Sequence, residues 1–241
     1  MNIRGCQVIR DVEVKRVMVD VPAFRKPDRY KASSYRSYNF KMPSRYDKMI
    51  CSKYAPSMDR FIIEQLGPDI SSLRILDVGC ATGRFLVHLA EAGVTQLFGA
   101  DLAPRILEVA AEKLSKTGTV AELRTADAED RLPWDDASFD VVTLLGVLHH
   151  FFRPKDALSE IYRVLQPGGR LLVVDACFFP LVRQIVNAVL RIIPHDGDYR
   201  FYKMSAAEKL LAEVGFEVRQ TLSRWGCYLV EGIKPKTQFC T

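Results

Sequence analysis

The chain has no C-x-x-C pair. Its six cysteines, Cys6, Cys51, Cys80, Cys177, Cys227 and Cys240, stand far apart, which argues against a zinc site or a disulfide framework and fits a reducing compartment. Long apolar runs are also missing. The most apolar window, 171–193, is interrupted by Asp175, Pro180, Arg183, Gln184, Asn187 and Arg191, so no transmembrane span is expected. Residues 1–21 alternate charges with valines and lack the apolar stretch of a secretory signal. These absences together point to a cytoplasmic protein. No set of histidines, cysteines and acids has metal-ligand spacing, so no metal is expected. What remains, 48% hydrophobic and 26% charged residues in 241, is the composition of a soluble globular protein, one domain with appendages.

Two nucleotide-binding signatures are absent as well. A G-x-G-x-x-G turn starting at Gly79 would need glycines where Ala81 and Arg84 stand, and no Gly-Lys-Ser/Thr follows Gly83 as a phosphate-cradling loop requires. The stretch Arg74-Ile75-Leu76-Asp77-Val78-Gly79-Cys80-Ala81-Thr82-Gly83-Arg84-Phe85-Leu86 nonetheless organises the chain. Ile75, Leu76 and Val78 read as a buried strand, Gly79 to Gly83 as a tight turn, and Phe85, Leu86 and Leu89 as the apolar face of a helix. A helix N-terminus after such a turn offers backbone N–H groups and a favourable dipole to a nucleotide-like ligand.

From here strands and helices alternate. The pattern predicts strands over 74–78, 96–100, 121–125, 139–144 and 170–174, and helices over 83–92, 104–115 and 155–165. Pro104 falls in a first turn, where its missing N–H costs nothing. Repeated βα units imply a parallel sheet with helices on both faces and a ligand beyond the strands' carboxyl ends. At the end, Ser205-x-x-Glu208 reads as a capping box opening a helix that Gly215 closes. The runs 216–222 and 226–233 are joined so briefly that they should pair as an antiparallel hairpin. Upstream, 8–21 reads as one or two weak strands or a poorly ordered lead-in, 22–43 as a loop or mobile lid, and 44–66 as helices broken near Pro56 and closed by Gly67-Pro68.

Acidic residues recur at strand ends. Asp77 ends the first strand and Asp101 the second, 22 positions after Gly79, where a ribose hydroxyl pair would be held. Asp127 follows the third. With Leu132-Pro133-Trp134, Phe139-Asp140-Val141-Val142, Val147-Leu148-His149-His150 and Arg163–Leu171, these residues make 74–175 resemble the class I S-adenosylmethionine-dependent methyltransferases, in particular small-molecule enzymes of the "methyltransferase type 11" kind. Asp77, Gly79 and Gly83 match that family's first motif. Ala81 stands where a middle glycine is common, which is mild if its φ stays negative.

The resemblance implies an α/β fold, a Rossmann-like doubly wound, mostly parallel sheet of seven strands with the C-terminal hairpin. It implies S-adenosyl-L-methionine as methyl donor, leaving S-adenosyl-L-homocysteine. The cofactor-binding residues would be Asp77, Gly79, Cys80, Ala81, Gly83, Asp101, Leu102, Asp127, Ala128, Leu145 and Tyr46. Asp77 would fix the turn through backbone N–H groups. The carboxylate of Asp77 also disfavours a pyrophosphate and suits a cationic sulfonium, which Tyr38 or Tyr46 could meet by a cation–π contact.

The general-base candidates are His195 and His149, with His150 beside the latter; His88 reads as structural. The organisation expected is a basic, aromatic N-terminal cap over 1–66 and a cofactor domain over 67–241, with a lid insertion at 176–204. In that insertion Leu181, Val182, Ile185, Val186, Val189, Leu190 and Ile193 form an apolar stripe. It reads as a lid helix docked on the core, and alternatively as a cover for a lipophilic acceptor or a weak membrane contact.

Residues 1–60 carry a charge of +8 against −3 for the rest, with Phe24, Tyr30, Tyr35, Tyr38, Phe40, Tyr46 and Tyr54 interleaved. A cap over the cofactor accounts for this better than a nucleic-acid surface, since no RNA-binding motif accompanies the charge. The leading expectation is therefore methylation of a small-molecule acceptor, at oxygen. The alternatives are an RNA or protein methyltransferase using the basic N-terminus, although no Asn/Asp-Pro-Pro-Tyr motif is present, and a non-catalytic cofactor-binding protein.

Overall fold

A computed structural model of the chain describes residues 29–48, 51–193, 197–224 and 226–236. Seven strands form one sheet: β1 (Arg74–Val78), β2 (Gln96–Asp101), β3 (Ala121–Thr125), β4 (Phe139–Leu145), β5 (Leu165–Ala176), β6 (Glu217–Arg224) and β7 (Cys227–Ile233). Their order is β3-β2-β1-β4-β5-β7-β6. The pairs among β1 to β5 are parallel, while β7 runs antiparallel to both β5 and β6. This is the doubly wound sheet with a terminal hairpin that the alternation predicts. β1 lies between β2 and β4, so successive connections leave it in opposite directions and open a crevice at its carboxyl end.

The helices α1 (Arg29–Arg36), α2 (Cys51–Leu66), α3 (Arg84–Glu91), α4 (Pro104–Ser115), α5 (Pro154–Val164), α6 (Pro180–Ile192) and α7 (Met204–Val214) cover the sheet. β1 has nearly continuous burial because both its faces are covered. Ile75 points into one core with Ile62, Leu86 and Leu107. Leu76 points into the other with Leu158, Ile161 and Leu211. Each fully buried side chain of this size contributes about 1.5–3 kcal/mol. α5 reaches that second core through Ala157, Leu158, Ile161 and Val164, one apolar stripe at helical spacing.

Several local expectations change. Within 22–43, residues 29–41 are helical: α1 runs into a π-type turn over Ser37–Lys41 that buries Ser37 and Asn39. α2 continues through Pro56, so the break expected there does not occur. Pro56, the sixth residue of α2, lacks the N–H that would answer the Ser52 carbonyl, and the helix continues past it despite that loss. The capping box does not form, since Lys203 occupies the N-cap of α7 and Ser205 already lies inside the helix. β5 starts at Leu165, and Gln166–Gly169 bulge out before pairing resumes at Arg170. Finally, α6 docks through Leu190, its one fully buried residue, while most of the predicted apolar stripe faces outward. The readings for residues 8–21 and 22–28 lie outside the described residues.

Candidate functional site

The crevice at the carboxyl ends of β1, β2, β3 and β4 is the candidate site. Its floor is the turn after β1. Gly79, Ala81 and Gly83 all have positive φ, at 74°, 47° and 69°, so the expectation of a negative φ at Ala81 is wrong. The turn coils left-handed at every second residue. A Cβ at Gly79 would sit 2.5 Å from a methyl of Val147, and one at Gly83 2.8 Å from the Ala110 Cβ. The first glycine lets the crevice wall close, and the last lets α3 approach α4. Ala81 alone carries the cost of a Cβ in this region, ~1–2 kcal/mol.

Asp101 ties the turn down. The backbone N–H of Ala81 donates to its Oδ2 at 3.0 Å and that of Ala103 to its Oδ1 at 2.9 Å. Gly79 and Cys80 donate to the Ala100 carbonyl at 2.7 and 3.0 Å. Asp77, expected to hold the turn through backbone N–H groups, instead accepts the Thr143 hydroxyl at 2.6 Å. The register explains this, because Asp77 and Thr143 are direct partners on β1 and β4. Burial pushes Asp77 up to about 7, with the Thr143 bond pulling the other way. Burial also raises Asp101, to about 6, against the backbone N–H groups that favour its charged form. Both carboxyls gain if a cation or hydroxyl donors arrive.

Asp101, Leu102, Asp127, Ala128, Gly79, Ala81 and Tyr46 line the crevice together with Tyr38, Gly146, Val147, His150 and Phe151. Four other predicted residues stand behind it rather than on it. Asp77 is buried under the turn, Cys80 packs in the core with Leu86, Gly83 caps α3, and Leu145 packs on the same core.

The N-terminal segment forms the roof. Tyr38 and Tyr46, with rings 6.0 Å apart, pack against Ala81, Ala103 and Ile106. The Asn39 side chain accepts the Arg105 backbone N–H at 3.0 Å, and Asp47 accepts the Thr82 hydroxyl at 2.8 Å. Lys31 of α1 reaches the far end, 2.5 Å from Asp127 and 2.6 Å from Glu129. Burial works against its charge, but the two carboxylates outweigh it and raise the pKa. No local pattern marks Lys31 or Glu129, because the two meet across about a hundred positions of the chain.

At the opposite end sit the histidines. His149 donates its backbone N–H to Asp175 Oδ2 at 3.0 Å, and its Nδ1 lies 2.7 Å from Asp175 Oδ1. Its Nε2 lies 3.5 Å from Asp198 Oδ1, and its ring stacks on Phe201 at 4.4 Å. Burial alone would depress His149, but Asp175 and Asp198 raise it to about 9. His150 goes the other way. Burial and then the charge of His149 lower it to about 4, so it stays neutral. His150 lines the crevice, with Nε2 3.4 Å from the Tyr38 hydroxyl and Nδ1 3.4 Å from Asp198. His195 lies outside the described residues. His88 pairs with Asp59 at 2.7 Å, away from the crevice.

His149, His150 and Asp198 bring three potential metal-ligand atoms within 4.8 Å of one another, a grouping that sequence spacing did not show. The two carboxylates flanking His149 already hold a proton there, which a metal would have to displace. The arrangement is better suited to proton handling.

The walls carry carboxylates at both Asp101 and Asp127, and the one cation among the lining residues, Lys31, is committed to acids. Such a donor-poor crevice repels a pyrophosphate. It fits a ligand that brings hydroxyl groups, an amino group and positive charge, as S-adenosylmethionine does.

Comparison with known proteins follows the same line. Residues 76–173 match the family described as methyltransferase domain. A demethylmenaquinone methyltransferase of Thermus thermophilus is 34% identical over 173 residues, 64% of this chain and 78% of that protein. An O-methyltransferase of Aspergillus nomiae is 38% identical over 169 residues, 65% of this chain and 71% of that one. Among solved structures, the magnesium protoporphyrin IX methyltransferase of Synechocystis with bound S-adenosylhomocysteine superposes with a TM-score of 0.66 at 18% identity, covering 85% of this chain and 99% of that one.

Proposed function

This chain belongs to the S-adenosylmethionine-dependent methyltransferases, and from that membership we propose that it methylates a lipophilic, hydroxyl-bearing aromatic small molecule, at oxygen. The observation that carries the reading is a neutral histidine, His150, on the crevice wall among aromatic rings, at the end opposite the Asp127–Lys31 pair. Of the relatives described above, the Thermus one is named for a small-molecule acceptor, demethylmenaquinone, and the Aspergillus one for methylation at oxygen; others are named ubiquinone/menaquinone C-methyltransferases.

Asp101 would hold the ribose hydroxyls of the donor, Asp127 its adenine amino group, and the Gly79–Gly83 turn its amino-acid end, with Tyr38 and Tyr46 facing the sulfonium. The bound donor supplies an electrophilic methyl group. The residues of this chain do the rest. Tyr38, Tyr46, Val147 and Phe151 exclude water, so a cation there is poorly solvated and the loss of its charge is favoured. Alignment of the two reactants can supply ~7–11 kcal/mol. His150 Nε2 accepts the acceptor's hydroxyl proton as the nucleophile forms. His149, charged and locked by Asp175 and Asp198, orients its neighbour and keeps it neutral.

The test is incubation with a donor carrying an isotopically labelled methyl group and a panel of hydroxylated naphthalenes and phenols of graded hydrophobicity. Mass spectrometry and NMR of the product then distinguish an ether from a ring methyl. A labelled ring carbon would overturn the oxygen assignment. Labelling of RNA or protein instead would overturn the substrate class.

A further inference from the structure

We propose that His149, His150 and Asp198 form a binding site for one tetrahedral Zn²⁺ ion, which when filled removes His150 as a base. The blocking role rests on the proposed function, while the metal site itself is argued from geometry alone.

The three ligand atoms are spaced as a coordination shell. Asp198 Oδ1 lies 3.5 Å from His149 Nε2 and 3.4 Å from His150 Nδ1. Both separations exceed the ~2.7–3.2 Å of a made N–H···O hydrogen bond, and His150 Nδ1 is buried without a hydrogen-bond partner. An ion that holds nitrogen and oxygen at ~2.0–2.2 Å in a tetrahedron sets them about 3.3–3.6 Å from one another. Two edges of that tetrahedron are therefore in place, and all three ligand atoms lie within 4.8 Å of one another. Distances too long for hydrogen bonds are right for a shared ion.

The ligands are also held from behind. His149 Nδ1 lies 2.7 Å from the buried Asp175 carboxylate, and a histidine whose second nitrogen donates to a carboxylate is the usual supported metal ligand. Phe201 stacks on the same ring at 4.4 Å, so ring rotation is blocked. Asp198 is carried by the chain after α6. Gly197, just before it, has a φ of 90°, and a Cβ there would sit 2.3 Å from that of Ser34. Just after it, the N–H groups of Tyr199 and Arg200 both donate to the His149 carbonyl. Asp198 cannot drift from the histidines without breaking those bonds.

Donor chemistry selects the ion. Two imidazoles and a carboxylate suit Zn²⁺, whereas Mg²⁺ and Ca²⁺ demand shells of oxygen. Asp175 and Asp198 bring two negative charges to meet a dication, and the fourth position falls to water, as in open zinc sites. In the metal-free protein the group handles a proton, and Zn²⁺ enters by exchange. The Nε2 proton of His149 leaves to solvent, and the proton of His150 moves from Nδ1 to Nε2. Nε2 is the atom that faces Tyr38, 3.4 Å from its hydroxyl, so once protonated it cannot accept a proton from an acceptor. His150 lines the crevice while its two fellow ligands stand behind it, so the ion acts through His150 and leaves the donor's place open.

The experiment titrates the chelator-stripped full chain with Zn²⁺ by calorimetry and with Co²⁺ by visible absorption. Donor and acceptor are left out, so that the binding result is independent of the methylation reading. The expected result is one equivalent bound, with the intense visible bands of tetrahedral Co²⁺ and no thiolate charge-transfer band. Affinity should fall at least tenfold in His149→Gln and in Asp198→Asn, and stay unchanged in Cys177→Ser, which removes an exposed thiol. Asp198 is partly exposed, so its variant should fold even if that of the more buried His149 does not. Absence of binding, undiminished binding by Asp198→Asn, or loss of binding in Cys177→Ser overturns the site. Saturating Zn²⁺ should then lower methyl transfer by the wild type at least tenfold, leave donor affinity unchanged, and be reversed by chelator. Bound Zn²⁺ with undiminished transfer overturns the blocking role.

Discussion

His149 and Asp175 are bound twice. One carboxylate takes both the backbone N–H and the ring nitrogen of the same histidine, at 3.0 and 2.7 Å. The imidazolium is thereby held at the end of β4 by the end of β5, across a parallel strand pair.

This pair makes stability depend on pH. The folded pKa of His149 is raised to about 9 from 6.5, so its contribution is complete below pH 6.5 and is lost as pH rises through 9. Urea midpoints should therefore fall between pH 6.5 and 9, by on the order of 2 kcal/mol in ΔG. Asp175→Asn should flatten that limb while lowering stability at pH 6. A slope unchanged in the variant would show that another group is responsible.

His150→Gln should reduce kcat ~10²–10⁴-fold, the range for loss of a general base. The affinity for S-adenosylmethionine should change little, since the donor's expected partners lie elsewhere on the crevice. Calorimetry alongside steady-state rates separates the two, and loss of both together would mean that His150 is structural.

Asp101→Ala should remove most of the donor affinity. In the wild type Asp101 must be ionised to accept two ribose hydroxyls, and its pKa lies at about 6. Affinity should then fall ~10-fold per pH unit below 6 and be flat above it. Titrations at pH 5, 6 and 7.5 check this, and a flat profile would remove Asp101 from the donor site.

Ala81→Gly should stabilise the chain. Relief of a left-handed Cβ at φ 47° is worth ~1–2 kcal/mol, against ~0.4–1 kcal/mol of extra unfolded-state entropy. The net should be on the order of 0.5–1 kcal/mol, a rise of roughly 1–4 °C in Tm for a chain of this size. Gly79→Ala should do the opposite, because its Cβ meets Val147.

The sheet was legible because its signals are local. Ile75, Leu76 and Val78 announce a buried strand, and the short link before Gly226 announces a hairpin, without reference to anything distant. Asp101 and Asp127 were legible for the same reason, as the one ends its own strand and the other follows directly on its own. Asp175 and Asp198 were not. They meet His149 only because β5 lies beside β4 and because the chain after α6 returns to the His149 carbonyl, where Tyr199 and Arg200 donate at 2.9 and 3.0 Å. The sign of φ at Ala81 depends on Asp101 drawing in its N–H, which a motif does not display. The α6 stripe has the same periodicity whether it faces core or solvent. Only the docking of Leu190 and Asn187 decides which, and that left the stripe outside.

The position of β7 has a consequence for synthesis. It is the last of the described strands, yet it lies between β5 and β6 and buries Tyr228, Leu229 and Val230. Until residue 233 has been made, the long edge of β5 has no partner. At ~5–20 residues per second, the stretch from the end of β5 to the end of β7 takes roughly 3–12 s to emerge. For that time the nascent chain presents an apolar, unpaired strand edge, the feature most prone to pairing with a neighbouring chain. That edge is where the nascent chain is most open to pairing with another copy before β7 closes it.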